Sequence, residues 1–214
     1  MSSDLLSGIE RSLLHRSRSL LLAWRIILLP ALVMKRGHEP DVSRFARKLR
    51  GELFIDVGAN IGFYTRLLRH NFRRIVAVEA DPLTCAFLRR TRPRNCEAIN
   101  AAVADEDGFA TLYSHPTNPG GSSVAYGFGW KPTRVRKITL TSLLSTESKV
   151  DLVKVDVEGA ELLVVKGAFP IMDKIQSWIL EFHDTGMRNE LTSLMKEHGY
   201  SLIGLDETHG YFYR

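Results

Sequence analysis

From residue 51 onward the chain alternates short β-branched runs with stretches of helical period, the pattern of βαβ units and of a mainly parallel sheet covered on both faces. Strands are expected at residues 53–57, 74–79, 97–103, 152–157, 178–182 and 202–205, with a last one near 211–213. Helices are expected at 63–69, 84–90, 161–166 and 190–198, with Gly167 and Gly199 as C-terminal stops. The rhythm breaks at the Gly-, Pro- and Ser-rich loop of residues 114–129, between expected strands at 110–113 and 135–140. Loops of this length often carry function.

Composition agrees with one domain of this class. A chain of 214 residues, 44% hydrophobic and 25% charged, can bury a core of its own and is neither disordered, collagenous nor of low complexity. Cys85 and Cys96 are too few for a disulfide scaffold and are not spaced as C-x-x-C, which points to a reducing, cytoplasmic setting. The net charge of +5 is concentrated in residues 1–50, with 10 Lys/Arg against 4 Asp/Glu, whereas residues 51–214 carry 19 against 20. An enzyme of nucleic acids would spread its positive stripe across the domain that does the chemistry, so composition argues against a nucleic-acid partner. The expected division is a basic amphipathic helical segment, 1–50, and an α/β domain, 51–214.

Within that first segment, residues 19–34 read SLLLAWRIILLPALVM, shorter than a membrane span and interrupted by Arg25 and Pro30. No small-x-small site follows that would mark a cleaved signal peptide. Arg11, Arg18 and Arg25 recur every seven residues and form one basic stripe on a helix, with Leu13, Leu14, Leu20, Trp24 and Leu28 facing elsewhere. That pattern suits peripheral membrane contact through residues 11–36, or equally a helix that packs its apolar face on the domain.

The first strand-to-helix turn is LFIDVGANIGFYT, residues 53–65, with Gly58 and Gly62 where backbone must approach a ligand closely. Its G-x-x-x-G spacing departs from the G-x-G-x-x-G of a pyrophosphate cradle. Asp56 at the strand end would repel a pyrophosphate but attract an ammonium or sulfonium, which points to S-adenosylmethionine. The competing reading is a sharp turn that needs glycines and an aspartate that caps a helix. Glu79 closes the second strand 21 positions after Gly58, the spacing at which a carboxylate reaches ribose hydroxyls. Further on, Lys154, Asp156 and Glu158 stand at alternate positions, so an extended backbone turns all three to one face, at the carboxyl end where open α/β sheets bind ligands.

FIDVGANIGFYT, AVEADP, NAAVADEDG and DLVKVDVEGAE, in that order, resemble the successive motifs of the FkbM-type methyltransferases. The resemblance covers most of residues 51–214, and its specific part is D-V-E-G-A-E at that distance from D-V-G-A-N-x-G. It implies a class I, Rossmann-like methyltransferase fold: a mainly parallel seven-stranded sheet with an antiparallel last strand, helices on both faces, S-adenosylmethionine as cofactor, and methyl transfer usually to a hydroxyl oxygen. By that similarity the loop of Gly58, Ala59, Asn60 and Gly62 holds the methionine end; Asp56, Phe63 and Tyr64 flank it as expected cofactor contacts, the Tyr64 ring either near the sulfonium or an ordinary core aromatic. Glu79, flanked by Ala80 and Asp81, takes the ribose. Ala102, Val103 and Asp105 border the adenine, and Asp156 borders the cofactor.

O-methylation calls for a general base, and the candidates are Asp156, Glu158 and His183, the last following the fifth strand in WILEFHD. Lys154 is expected to pair with Asp156 or Asp56 at the substrate side, and Ser122, Ser123 and Tyr126 of the long loop to hydrogen-bond a polyol acceptor. Asp156, Glu158 and His183 suit a hard divalent cation chemically, but no tight ligand spacing supports a metal site. The expected partner is a small-molecule or glycan hydroxyl acceptor. Two other readings compete: a non-catalytic membrane-surface module on this fold, and an NAD-dependent oxidoreductase, the latter disfavoured by the missing middle glycine and by Asp56.

Overall fold

A computed structural model describes residues 39–114 and 131–214. The basic segment before residue 39, and with it the expected amphipathic helix, lies outside the described residues, as do Ser122, Ser123 and Tyr126.

The chain runs α1 (Pro40–Ala46), β1 (Gly51–Val57), α2 (Phe63–Leu67), β2 (Phe72–Glu79), α3 (Pro82–Thr91), β3 (Cys96–Asn100), β4 (Ala102–Val103), β5 (Gly108–Ser114), β6 (Lys131–Ile138), α4 (Leu140–Leu143), β7 (Leu152–Val155), α5 (Glu161–Lys166), a 3-10 turn (Phe169–Lys174), β8 (Ser177–Glu181), α6 (Thr185–Glu197), β9 (Ser201–Gly204) and β10 (His209–Tyr213). Seven strands form one sheet in the order β3-β2-β1-β7-β8-β10-β9. All pairings are parallel except those of β10, which runs antiparallel to both neighbours. Strand order reverses between β1 and β7, the switch point at which such sheets open a crevice beyond their carboxyl ends.

Both faces of the sheet are buried, which is why β1 and β2 read as nearly continuous apolar runs. Leu53, Ile55 and Val57 of β1 join Val153, Val155, Trp178 and Leu180 in one core, sealed by Val164 and Val165 of α5 and by Leu191 and Met195 of α6. Phe54 points the other way, into a second core with Ile75, Leu152 and Ile179, sealed by Val42 and Ala46 of α1, Tyr64 of α2 and Leu88 of α3. Each fully buried side chain of this size contributes about 1.5–3 kcal/mol relative to exposure. On β1 and β7 the same alternation that sends Phe54 and Leu152 into the second core sends Asp56 and Lys154 to that face as well.

The elements depart from expectation in several places. The strand expected over 97–103 is broken at Ala101, because Asn100 Nδ2 donates to the carbonyls of Glu79 and Ala80 (2.8 and 2.9 Å) and ends β3 there. Ala102 and Val103 then pair with Lys137 and Ile138 in a separate three-stranded sheet, β4-β6-β5. Helix α6 starts five residues earlier than expected, since Asp184 caps it by accepting from Met187 N at 2.8 Å. Strand β7 stops at Val155, so Lys154 and Asp156 keep the expected common face while Glu158 does not: it occupies the following turn at φ 55°. Gly199 and Gly167 both end their helices as expected, Gly199 at φ 83° and Gly167 right-handed; the latter is glycine because a Cβ there would stand 2.1 Å from the carbonyl oxygen of Ala104.

Candidate active site

The turn after β1 is wedged between two strand ends. Gly58 and Ala59 donate their N–H groups to the carbonyl of Val78 (2.9 and 3.0 Å), which pulls the turn over the end of β2. On the other side a Cβ at Gly58 would fall 1.7 Å from the carbonyl oxygen of Asp156, and the residue has φ 74°. Only glycine satisfies both conditions. Gly62, at φ 85°, then starts α2.

Glu79 stands beside this turn, 8% exposed, with one oxygen accepting from Asn60 N and the other from Asp81 N, each at 2.8 Å. Burial outweighs these two bonds and pushes the carboxyl up to about 7. Asn60 is itself held at φ 51°, and its side-chain oxygen is buried with no hydrogen-bond partner among the described residues. Asp81 is the N-cap of α3, accepting from Leu83 N and Thr84 N at 3.0 and 2.9 Å. Ala80 is half-buried beside it.

Below the turn lies a buried charge cluster on the face of the second core. Asp56 is 2% exposed and accepts from Thr65 Oγ1 at 2.6 Å; burial raises its pKa, against Lys154 and Thr65. Lys154, its register partner on β7, is also 2% exposed; its Nζ donates to Asp156 Oδ2 at 3.0 Å and sits 4.6 Å from the centre of the Tyr64 ring. The cation over Tyr64 in this fold is therefore Lys154. Burial alone would lower the ammonium's pKa, but Asp156, Glu39 and Asp56 together raise it. Asp156 in turn, although burial opposes ionisation, is held below its ordinary value by Lys154 and by a hydrogen bond from Glu181. Glu181 carries the cost: burial and then the neighbouring Asp156 charge push its carboxyl well up, so it is the proton-bearing member of the pair.

The cluster extends to residues outside the expected site. Tyr64 donates its hydroxyl to Glu39 Oε2 at 2.6 Å, and His209 Nε2 lies 3.3 Å from the same oxygen. The other ring nitrogen of His209 faces Asp206 Oδ1 at 3.0 Å. A lone Glu and a lone His in a sequence carry no such signal; only the fold, which sets His209 opposite Glu181 in register and against Glu39, brings these two in.

On the far side of Asp156 the chain turns through Glu158 and Gly159, at φ 55° and 102°, into α5. Glu158 is raised to about 7, by burial first and by the charge of Asp156 second. His183, just past β8, lies with Nε2 3.1 Å from Glu161 Oε1, and this bond raises its pKa above the ordinary imidazole value. Asp56, Glu79, Asp156, Glu158 and His183 thus all stand at the carboxyl ends of the strands or just beyond. Among the described residues no three of His, Cys, Asp and Glu converge as a metal-binding group. Phe63 packs edge-on against Tyr64, Ala102 and Val103 are buried at the edge of the second sheet, and Asp105 is exposed. No helix among the described residues is long and apolar enough to cross a membrane.

The fold has counterparts among known proteins. The chain superposes with a methyltransferase FkbM from Methylobacillus flagellatus KT at TM-score 0.56 and 18% identity, covering 76% of this chain and 44% of that one. It superposes with a precorrin-6y C5,15-methyltransferase from Geobacter metallireducens GS-15 at TM-score 0.51 and 12% identity, covering 81% and 86%. At these identities the likeness is one of fold, and the chain spans less than half the length of the Methylobacillus protein. None of the curated proteins matches the sequence. The profile of the family described as methyltransferase FkbM domain matches residues 56–202, from the first buried aspartate to the strand before the last. The chain therefore belongs to the FkbM methyltransferase domain family.

Proposed function

We propose that this domain is an S-adenosylmethionine-dependent methyltransferase acting on a hydroxyl oxygen of a sugar, a lipid-linked glycan or a secondary metabolite. The observation that carries the reading is Glu79. Each of its oxygens is fixed by one backbone N–H and keeps a second lone pair, a pre-set acceptor pair for the vicinal hydroxyls of a ribose. The buried, partnerless oxygen of Asn60 beside it fits a ligand donor, since an unsatisfied buried acceptor costs about 1–3 kcal/mol. Gly58 leaves open the space that a Cβ would fill beside this ligand position.

The cofactor supplies a methyl carbon already activated by a positive sulfur. The protein's own residues align and deprotonate. Holding the acceptor oxygen in line is worth an effective molarity of about 10⁵–10⁸ M. An aliphatic hydroxyl must also lose its proton, for which Asp156, Glu158 and His183 stand at the right end of the sheet. Peripheral contact of residues 11–36 with a membrane surface is how a lipid-linked acceptor would be reached.

The test is titration calorimetry with S-adenosylmethionine, S-adenosylhomocysteine and NAD on the wild type and on Glu79→Ala. Both adenosyl ligands should bind and NAD should not. Loss of hydrogen bonds to a charged acceptor, about 1.5–3 kcal/mol, weakens the variant by roughly 10- to 150-fold. Binding of NAD alone, or unchanged binding in Glu79→Ala, refutes the reading.

A further inference from the structure

The D-V-E-G-A-E string ends in a carboxylate whose surroundings set it apart. Glu161 opens α5, where an acidic side chain ordinarily faces solvent and the helix dipole, yet it is fully buried. Its Oε1 accepts from Val157 N at 2.9 Å, and Gly159 N donates to both oxygens at 3.1 and 3.3 Å. A buried carboxylate costs several kcal/mol unless it is satisfied, and the positive φ of Glu158 and Gly159 shapes the turn that wraps backbone N–H groups around this one. Among the described residues its one side-chain partner is His183.

With the carboxylate pinned by backbone, the imidazole is pinned by the carboxylate. His183 is 27% exposed on its side chain, Nε2 toward Glu161, so the neutral ring carries its proton on Nε2 and its lone pair on Nδ1. Asp156 offers no comparable acceptor, being engaged by Lys154 and Glu181. We propose that Glu161 is a positioning residue which fixes this tautomer and presents His183 Nδ1 as the base of the methyl-transfer step, an inference that rests on the O-methyltransferase reading above. In that step the acceptor O–H bond breaks and its proton goes to Nδ1. The oxygen pair forms the O–CH₃ bond, the C–S pair returns to sulfur to leave the thioether, and the imidazolium is balanced by Glu161. The groups that face the ring are Glu161 from α5, Glu158 from the turn and Asp156 from the end of β7; all three favour its protonated form, Glu161 first.

The experiment is carbethoxylation of the full chain by diethyl pyrocarbonate, which acylates unprotonated imidazole, with His183 followed by peptide mass spectrometry as a function of pH and exposed His70 as internal reference. In the wild type the His183 midpoint lies above the ordinary imidazole value of about 6.5. Glu161→Gln, which keeps an acceptor for both backbone N–H groups, lowers the midpoint so that His183 reacts several-fold to about tenfold faster below it, and Glu158→Gln moves it less. Saturating S-adenosylhomocysteine slows His183 by roughly tenfold and leaves His70 unchanged. A wild-type midpoint at or below the ordinary imidazole value of about 6.5 overturns the proposal without recourse to any variant. So does an unshifted midpoint in folded Glu161→Gln, or no protection while calorimetry shows the ligand bound. Absence of S-adenosylhomocysteine binding instead overturns the methyl-transfer reading itself, and the base role with it, whatever the midpoints do.

Discussion

Replacing Lys154 by methionine removes the ammonium around which the buried charges are arranged and keeps most of its volume. The ammonium is 2% exposed, 3.0 Å from Asp156 and opposite Asp56 in register. Taking away one partner of a buried pair costs about 3–5 kcal/mol, a large part of the 5–15 kcal/mol that is typical of a domain. The pH dependence identifies the cause. In the wild type Asp156 has a depressed pKa, so its contribution is present above its unfolded value and is lost as pH falls through the folded one. Without Lys154, burial raises Asp156 and raises Asp56 further, so the folded variant binds protons that the unfolded chain has released. Lowering the pH through those raised values then stabilises the variant, by about 1.4 kcal/mol per pH unit for each proton taken up. Urea denaturation of both proteins at a series of pH values should show a gap that is widest at neutral pH and narrows toward pH about 4, the ordinary range of an aspartate. A gap under about 1 kcal/mol, or one that is constant with pH, refutes the electrostatic account and leaves only lost packing on Tyr64.

Two further outcomes follow from single positions. Gly199→Ala meets only a left-handed backbone, at φ 83° with nothing within 4 Å, and should cost about 1–2 kcal/mol, whereas Gly58→Ala adds a collision with the Asp156 carbonyl and should cost at least twice as much; equal losses in chemical denaturation would show that the wedge does not exist. Affinity for S-adenosylmethionine should rise with pH through about 7, where Glu79 ionises and gains its full acceptor strength, and level off above; calorimetry across this range should find the dependence abolished in Glu79→Gln, and a dependence of opposite sign in the wild type would remove Glu79 from the ribose.

The strands were legible because a buried parallel strand must be apolar on both faces, so Leu53 to Val57 admits no other reading. Their ends were not, because they are set by side-chain to backbone bonds formed across long separations: Asn100 ends β3 by reaching the carbonyls of Glu79 and Ala80. Helix α6 escaped in its first half because Thr185 to Asn189 show no apolar period, and only the Asp184 cap marks the start. At the site, Asp56, Glu79 and Asp156 stood out as charges at the ends of apolar strands. Glu161 did not, since an acidic residue in the first turn of a helix is ordinary, and nothing local distinguishes a buried one. Glu39 and His209 lie 170 residues apart and meet only through the fold. Strict alternation placed Glu158 with Lys154 and Asp156, and failed where the strand gave way to a turn of positive φ.

The wedge of Gly58 against the Asp156 carbonyl ties together parts that a methyltransferase would otherwise be free to alter separately. The turn after β1 and the end of β7 touch backbone to backbone there, since a Cβ at Gly58 would fall 1.7 Å from a backbone oxygen, and any side chain at that position would have to push the two apart. On the function proposed above, a substitution that reshapes the end of β7 to take a new acceptor should therefore also register as a change in cofactor affinity, so that the two have to be tuned together.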